Sequence, residues 1–441
     1  MDIAKLSTIL RENGVVGAGG AGFPTYGKLS ANADTILMNC AECEPLLKLH
    51  RQLLFEHTYE ILQAFALVAE TLGVKEAVIG IKKEYESTIR ALEEYIDEFP
   101  VVRIHKLGNF YPMGDEVVLI YEATGRVVRP GGLPIECGVA VFNVETLYNV
   151  YRAVWEKHPV TDKFVTVVGE VQSPMTVRVP IGMAIRDVVS FADPVTMNDP
   201  QYLIGGPMMG SFGNGNQPVT KTTNAVIILP KDHTLVYKKR PNIPQAIRRA
   251  ASSCCQCHTC TDLCPRHALG HPISPHLFMR AAANKDFQTT APYLNTLFCS
   301  SCGLCEVFSC PQGLAPRSIM AEYKKGLRNN GIKPPEINAV PMNESREYKR
   351  VPEERLLARL GLAQYNKDVK FVNESCTAKN VKVLLSQHIG SPAVSCVTKG
   401  NRVEIGSIIA RAADGLSVNI HAPITGIVTE VSERHVCISE I

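Results

Sequence analysis

Eight of the fifteen cysteines fall into two regularly spaced groups. The groups read Cys254-x2-Cys257-x2-Cys260-x3-Cys264-Pro265 and Cys299-x2-Cys302-x2-Cys305-x4-Cys310-Pro311. Three thiolates at three-residue steps wrap one corner of an iron–sulfur cubane, and the fourth cysteine, just before proline, turns toward a second cluster. The spacing therefore predicts two [4Fe–4S] clusters with crossed ligands. The expected sets are Cys254, Cys257, Cys260 and Cys310 for one cluster, and Cys299, Cys302, Cys305 and Cys264 for the other.

Zinc is the alternative metal, because Cys-x2-Cys pairs also bind zinc. A zinc site needs four ligands and seldom uses a third cysteine at the same step or a following proline. Cys255 is expected to be a bystander. The remaining cysteines belong to no motif and are expected to pack as small apolar side chains; they are Cys40, Cys43, Cys137, Cys376, Cys396 and Cys437. Two such clusters form a chain that transfers one electron at a time, and this chain needs an electron donor and an electron acceptor.

A glycine-rich loop near the N-terminus is a candidate site for the cofactor that supplies electrons to the clusters. Gly17, Gly19 and Gly22 match G-x-G-x-x-G, but a dinucleotide fingerprint needs a strand before it and a helix after it. The residues before the loop have helical spacing, and Pro24 interrupts any helix after it. The loop therefore favours close approach of a flat or phosphorylated ligand to bare backbone, with a merely flexible loop as the alternative.

Composition limits the possible classes of protein. The chain has 441 residues, of which 45% are hydrophobic and 20% charged, as in globular proteins of about three domains. The net charge of +3 gives no case for nucleic-acid binding. No apolar run approaches the roughly 18 residues of a transmembrane segment. The first residues lack a secretion signal, and an odd cysteine count argues against a disulfide framework, so a cytoplasmic location is expected.

The elements that must position these groups change along the chain. The N-terminal third alternates strands and helices, which predicts a parallel sheet covered by helices with ligands at the carboxyl ends of its strands. Residues 159–235 predict a small α+β module, and residues 381–441 are rich in strands. The expected fold is thus multidomain α/β and α+β. The predicted boundaries are 1–158, 159–235, 236–330 for the cysteine region, a linker at 331–380, and 381–441.

Several short stretches carry a resemblance to known proteins. They are Val15–Thr25, Ala41–Leu47, Tyr111–Val117, Gly205–Gly210, Cys264–His267 and Ser274–Leu277. With them the N-terminal region resembles the flavin subunit of respiratory complex I and, more closely, the C subunit of Rnf electron-transport complexes. Almost the whole chain resembles the cobalamin reductases of propanediol-utilisation microcompartments. The resemblance implies a Rossmann-like FMN/NADH domain, a β-grasp (SLBB) domain, a helical ferredoxin-type domain and a C-terminal β barrel-sandwich hybrid.

The same resemblance implies roles for individual residues. FMN contacts are expected from Gly17, Gly19, Gly22, Lys28, Asn39, Glu42, Tyr111, Gly114, Asn143 and Thr146. NADH contacts are expected from Phe23, Glu44 and Glu116. Lys28 would lie near the FMN phosphate, and Phe23 would stack on the nicotinamide-nucleotide side. No residue is expected to act as a catalytic acid or base, because the cofactors carry the electrons.

The implied function is transfer of electrons from NADH, through FMN and two clusters, to cob(II)alamin, giving cob(I)alamin for adenosylation. The implied partners are transiently bound cobalamin, a cobalamin adenosyltransferase, and shell or cargo proteins of a bacterial microcompartment in the cytoplasm. Two alternatives remain open at this stage. One is an Rnf-like or amino-acid-reductase-associated subunit with a different acceptor, and the other is a non-enzymatic cluster relay or scaffold without flavin.

Overall fold

A computed structural model describes residues 1–337 and 341–441. The N-terminal module is built on a parallel sheet of four strands in the order β3-β2-β1-β5. Its elements are α1 (Ile3–Glu12), β1 (Thr35–Cys40), α2 (Leu49–Glu56), α3 (Thr58–Leu72), β2 (Glu76–Lys82), α4 (Glu86–Tyr95), β3 (Val102–Leu107), β4 (Phe110–Tyr111), α5 (Glu116–Thr124), β5 (Val139–Asn143) and α6 (Val144–Tyr151).

Both faces of this sheet are buried, as in parallel sheets whose crossover helices cover them. Ile36 of β1 packs in the same cluster as Phe65 of α3. The next residue, Leu37, points to the opposite face and packs with Leu119 of α5. The carboxyl ends of β1 and β5 therefore meet at one edge, at Cys40 and Asn143. This edge is where the sequence predicts a ligand.

The second module is a mixed sheet with one short helix. Its elements are β6 (Asp162–Gly169), β7 (Met175–Pro180), α7 (Ile185–Ser190), β8 (Gln201–Ile204), β9 (Ser211–Gly213) and β10 (Ala225–Leu229). β6 pairs antiparallel with β7 and parallel with β10. The sheet order is β12-β7-β6-β10-β8-β9, in which β12 (Lys370–Ser375) comes from a later segment of the chain. The loop Gly205–Gly210 connects β8 to β9 and faces the N-terminal module.

The cysteine-rich region consists of short helices joined by tight loops. Its helices are α8 (Thr234–Lys239), α9 (Ile243–Ser253), α10 (Thr259–Asp262), α11 (Pro265–Ala268), α12 (Pro275–Asn284), α13 (Ala291–Leu294), α14 (Leu304–Val307) and α15 (Pro316–Asn329). Pro265 and Pro316 each stand at the first position of a helix, where a missing N–H costs nothing. Its own core includes Phe278, Leu314 and Ile319.

The predicted linker 331–380 is wrong as a description of most of that segment. It contains β11 (Val351–Pro352), α16 (Glu353–Arg359) and β12 (Lys370–Ser375). β11 pairs with β4 of the first module, and β12 adds a strand to the second. The segment is rich in proline and charged residues, which is why the sequence predicts a linker. Its leucines Leu356, Leu360 and Leu362 are nevertheless buried in a hydrophobic cluster with residues of the second module. Residues 338–340 of the predicted linker lie outside the described residues.

The C-terminal module is a sandwich of two small sheets, in the orders β13-β19-β18-β15 and β14-β16-β17. Its strands are β13 (Asn380–Leu384), β14 (Val394–Ser395), β15 (Arg402–Val403), β16 (Ile408–Arg411), β17 (Ile420–His421), β18 (Gly426–Val431) and β19 (His435–Glu440). Arg11 of α1 donates to the carbonyls of Ala413 and Ser417, so this module is tied to the first. Among the described residues, no helix combines the length and apolarity needed to cross a membrane.

Candidate functional site

The structure brings the first predicted cysteine set around one cavity. Its lining includes the four cysteines Cys254, Cys257, Cys260 and Cys310. The backbone takes left-handed conformations at Gln256 (φ 51°) and His258 (φ 65°). These conformations are costly for residues other than glycine, and they curl the loop so that successive sulfurs face inward. Cys310 arrives from 50 residues further along the chain, as the crossed arrangement requires.

The second predicted set lines a separate cavity, formed by Cys264, Cys299, Cys302 and Cys305. The loop that carries Cys299 and Cys302 also has two residues in left-handed conformations, Ser301 (φ 62°) and Gly303 (φ 85°). The N–H of Ser301 donates to Cys299 Sγ at 3.3 Å. The four-residue spacer between Cys305 and Cys310 leaves both sets intact, because Cys310 still lines the first cavity and Cys305 the second.

Sulfur spacing within each set is wider than a single zinc ion allows. Among the residues that the structure describes, no three cysteine sulfurs of these groups lie within 4.8 Å of one another. Sulfurs bound to one tetrahedral zinc stand about 3.8 Å apart, given Zn–S bonds of about 2.3 Å. A cubane holds its four thiolates at separate corners, so the cavities fit that group better.

The two sets differ in exposure. Cys302 and Cys305 are buried, whereas Cys257 is exposed. Burial raises the pKa of Cys260 to about 12 and of Cys264 to about 11. A hydrogen bond from Thr259 lowers the pKa of Cys257. The thiols whose pKa burial raises must therefore release their protons to bind iron.

The buried set is attached directly to the N-terminal module. Tyr111 donates its hydroxyl proton to the carbonyl of Cys302 at 2.7 Å, and both groups are buried. Asp115 accepts from Arg266 at 2.9 Å, with each side chain only 14% exposed. Arg266 follows Cys264 by two residues. Two hydrogen-bonded contacts therefore join the loop Tyr111–Asp115 to residues beside the buried cysteines.

Predicted FMN contacts gather at the carboxyl edge of the parallel sheet. Asn39 donates to the carbonyl of Gly114 at 3.0 Å and accepts the N–H of Ala41. A Cβ on Gly114 would lie 2.5 Å from the carbonyl oxygen of Ala41, so only glycine permits this approach. The structure thus brings Asn39, Gly114 and Tyr111 together.

Glu42 is buried in the loop between β1 and α2. Its Oε1 accepts the N–H of His50, while Oε2 has no hydrogen-bond partner among the described residues. Burial raises the pKa of this carboxyl and lowers that of His50 to about 4. An unpartnered buried carboxyl oxygen at the predicted cofactor edge is a group that a ligand would satisfy.

The glycine loop is anchored to the same edge. Thr146 accepts the N–H of Ala18 at 3.0 Å, and the Asn143 amide lies 3.0 Å from His50 Nε2. A Cβ on Gly19 would lie 3.0 Å from the Asn224 amide nitrogen. Asn224 Oδ1 is buried without a partner in the described residues. These groups form a polar cradle around bare backbone, which fits a flavin mononucleotide.

Part of the glycine requirement comes from packing between modules. Gly22 has φ 67°, and a Cβ there would lie 2.8 Å from Thr222 and 3.2 Å from His388. The N–H of Ile389 donates to the carbonyl of Ala21. The loop is therefore held by the second and fourth modules, and it is not simply a flexible connection.

Lys28 and the predicted NADH residues lie in three different settings. Lys28 donates to the carbonyl of Val141 at 2.7 Å and lies 3.6 Å from Glu116, which is half-exposed. The ring of Phe23 lies beside Gly27, close to Leu416 of the C-terminal module. Glu44 accepts the N–H groups of Met208 and Met209, both at 2.7 Å. These two backbone contacts hold Glu44 against the loop of the second module, and its predicted contact with NADH stays a prediction.

Sequence reasoning missed Asn224, His50 and Arg266. Asn224 lies in the second module near Gly19, and Arg266 lies in the cysteine-rich region and pairs with Asp115. Because each approaches a residue far away in the sequence, no local spacing could have indicated them. His50 lies six residues after Glu44, in the first turn of α2. A histidine at the start of a helix that follows an acidic loop could have been predicted to contact one of those acids.

Models of known families match three parts of the chain. Residues 10–152 match the Nuo51 FMN-binding domain, residues 253–315 a 4Fe-4S dicluster domain, and residues 364–440 the RnfC barrel sandwich hybrid domain. The predicted multidomain fold class is confirmed. The last match begins before the predicted boundary at 381 and includes β12.

Curated relatives match over nearly the full length. The cobalamin reductase PduS of Salmonella typhimurium is 41% identical over 97% of this chain and 95% of its own. That of Citrobacter freundii is 40% identical over 99% of this chain and 97% of its own. A solved NAD+-reducing [NiFe]-hydrogenase has a similar fold, with a TM-score of 0.51 and 21% identity over 76% of this chain and 64% of that one.

Proposed function

The chain belongs to the PduS family of cobalamin reductases, and from that premise we propose that it passes electrons from NADH, through FMN and two [4Fe–4S] clusters, to cob(II)alamin. The chain carries an FMN-binding domain and a 4Fe-4S dicluster domain. The observation that carries the proposal is the near full-length identity of 41% to a protein of this activity. The two cysteine-lined cavities, one of them joined to the flavin domain through Tyr111, support it.

FMN when bound accepts a hydride as two electrons and passes electrons on singly, and the clusters carry one electron each. The residues of the chain bind and orient these groups. Thr146 holds the glycine loop at the sheet edge through Ala18. Asn39 and Gly114 fix the opposite wall. Glu42, whose pKa burial raises, presents its unpartnered Oε2 at the edge of the sheet where the flavin is predicted.

The contacts of Tyr111 and Asp115 support an order for the two cysteine sets. Both contacts tie the flavin side to the buried set, Cys264, Cys299, Cys302 and Cys305. The exposed Cys257 belongs to the other set. The buried set would therefore stand nearer the flavin, and the exposed set nearer the acceptor.

The acceptor end of the proposal rests on family membership. We propose cobalamin as a transiently bound acceptor, a cobalamin adenosyltransferase as the partner that uses cob(I)alamin, and shell or cargo proteins of a microcompartment as neighbours. An Rnf-type acceptor is the second candidate, because the C-terminal region matches the RnfC barrel sandwich hybrid domain.

Anaerobic protein reconstituted with FMN, iron and sulfide tests the proposal. NADH should bleach the flavin and cluster absorbance, and added cob(II)alamin should then be converted to cob(I)alamin. The Cys305→Ser variant should keep flavin reduction and lose most cob(I)alamin formation. Rapid flavin and cluster reduction without any cobalamin reduction would favour the Rnf-type acceptor. Bleaching of neither cofactor by NADH would overturn the proposal.

A further inference from the structure

The outer face of the C-terminal module carries three potential metal ligands that the flavin and clusters do not use. Ligand atoms of Glu430, His435 and Cys437 all lie within 4.8 Å of one another. His435 Nε2 is 3.1 Å from Glu430 Oε1. Carboxylate, imidazole and thiolate are the three side-chain ligand types of zinc sites.

A β-bulge brings Glu430 onto this face. Val428 pairs with Ile438, but the next partner of Cys437 on β18 is Glu430 because the register shifts there. In a regular ladder Thr429 would oppose Cys437, and Glu430 would point inward beside buried Val436. The extra residue therefore re-aims the Glu430 side chain toward Cys437 and His435, as bulges commonly do near sites.

His435 is oriented by a tight turn. Its Nδ1 lies 3.0 Å from the Ser432 hydroxyl, which also accepts the N–H groups of Arg434 and His435. A histidine held at one ring nitrogen presents the other to a metal. His435 is only 15% exposed at its side chain, whereas Glu430 is 61% exposed. One side of the group is thus fixed and the other is open to solvent.

We propose that Glu430, His435 and Cys437 bind one divalent transition metal ion of the zinc type, with water as the fourth ligand. The thiolate and carboxylate would offset the charge of the ion. Burial and the neighbouring Glu430 raise the pKa of the Cys437 thiol, and Lys382, which pairs with Cys437 from β13, offsets part of that rise. A metal ion that binds there must therefore displace the thiol proton. Cys437 would then be a ligand and not the packing residue that its lack of a sequence motif suggests.

Zinc content tests this site in protein whose FMN and clusters are already assembled. After exposure to Zn²⁺ and desalting, elemental analysis should find one more zinc per chain in wild type than in His435→Ala or Cys437→Ser, at equal iron. The matched control is Cys396→Ser, which removes an exposed cysteine elsewhere in the module and should keep the zinc. Equal zinc in wild type, His435→Ala and Cys437→Ser would overturn the proposal.

Glu430→Gln provides a second test, because an exposed side chain on a bulge can change without loss of the fold. Titration with Zn²⁺ alone should show affinity reduced about tenfold or more, the scale of metal-site substitutions. Unchanged affinity would remove Glu430 from the site and contradict the three-ligand arrangement. Flavin bleaching by NADH should be unaffected in either case, so this result is independent of the proposed reductase activity.

Discussion

Single residues determine how the two cysteine loops can hold a cluster. Each loop has two left-handed residues, Gln256 and His258 in the first, Ser301 and Gly303 in the second. Only one of these four is glycine, so the remaining three adopt an unfavourable conformation. In each loop this conformation allows the ligand cysteines of one set to line the cavity of that set. Cys255 lies in the same loop and is exposed.

The neighbours Cys255 and Cys257 provide a matched pair of variants. Cys257→Ser should lower bound iron and sulfide by about half, because it removes one ligand of a four-ligand cluster. Cys255→Ser should leave both contents at the wild-type value. Iron and sulfide analysis under anaerobic conditions checks this. The ligand assignment would fail if the Cys255 variant lost iron and the Cys257 variant did not.

Tyr111 provides a residue-scale test of the contact between flavin domain and buried cysteine set. Tyr111→Phe removes the only hydrogen bond that its hydroxyl makes among the described residues and leaves the Cys302 carbonyl without that donor. We expect a loss of about 1–3 kcal/mol in the free energy of unfolding, the usual cost of an unpaired buried acceptor.

Chemical denaturation measures that loss, and rapid mixing with NADH adds a functional readout. Flavin bleaching should keep its wild-type rate in Tyr111→Phe, while cluster bleaching becomes slower relative to it. Unchanged stability together with unchanged cluster bleaching would show that this contact does not matter for either property.

Among the elements, the loop Gly205–Gly210 joins three modules. Its Met208 and Met209 N–H groups bind Glu44, and the Met208 carbonyl accepts from Lys239 and lies near Gly303. A Cβ on Gly206 would overlap the Glu44 carboxylate at 2.2 Å. The close approach of the Glu44 carboxylate therefore requires glycine at position 206, while Gly205 takes a left-handed conformation (φ 90°) that favours glycine.

Glu44 and Glu116 separate a structural from a nucleotide-binding role. Glu44→Ala should lower the free energy of unfolding by about 1–3 kcal/mol, because it leaves the N–H groups of Met208 and Met209 without their carboxyl acceptor. Its NADH dissociation constant should stay near wild type. Glu116→Ala, at a half-exposed residue, should weaken NADH binding with little change in stability. Weaker NADH binding in the Glu44 variant alone would restore the role that the resemblance implies.

Across the whole molecule, the first, second and fourth modules meet at Lys221. Its buried ammonium donates to the carbonyls of Gly14 and Asn419, and no acid lies beside it among the described residues. Burial lowers the pKa of Lys221 to about 7 from 10.5. His421 lies nearby, and burial lowers its pKa to about 3, so it stays neutral above that range.

This lysine predicts the pH dependence of module packing. Between about pH 7 and 10.5 the unfolded chain binds the Lys221 proton and the folded chain does not, so stability rises with pH in that window. Wild type should gain more in unfolding temperature from pH 7 to 10 than Lys221→Met does. Lys75→Met, at an exposed position, should follow wild type. Equal pH dependence in wild type and Lys221→Met would contradict the prediction.

Local patterns in the sequence indicate much of the architecture, while contacts between modules are hidden from it. Cysteine spacing predicts both ligand sets because cluster geometry is imposed within a few residues. The parallel sheet follows from alternating strands and helices. The partner of Glu44 lies more than 160 residues away, and β11 forms only because β4 offers an edge. No periodicity near Val351 or Glu44 could reveal those pairings.

Electron transfer from NADH to cobalamin is tested most directly by anaerobic formation of cob(I)alamin, with protein loaded with FMN, iron and sulfide and with NADH as the only reductant. We expect wild type and Cys255→Ser to form cob(I)alamin, and Cys257→Ser and Cys305→Ser to form little. Cob(I)alamin production at the wild-type rate by protein that holds FMN but no clusters would contradict it.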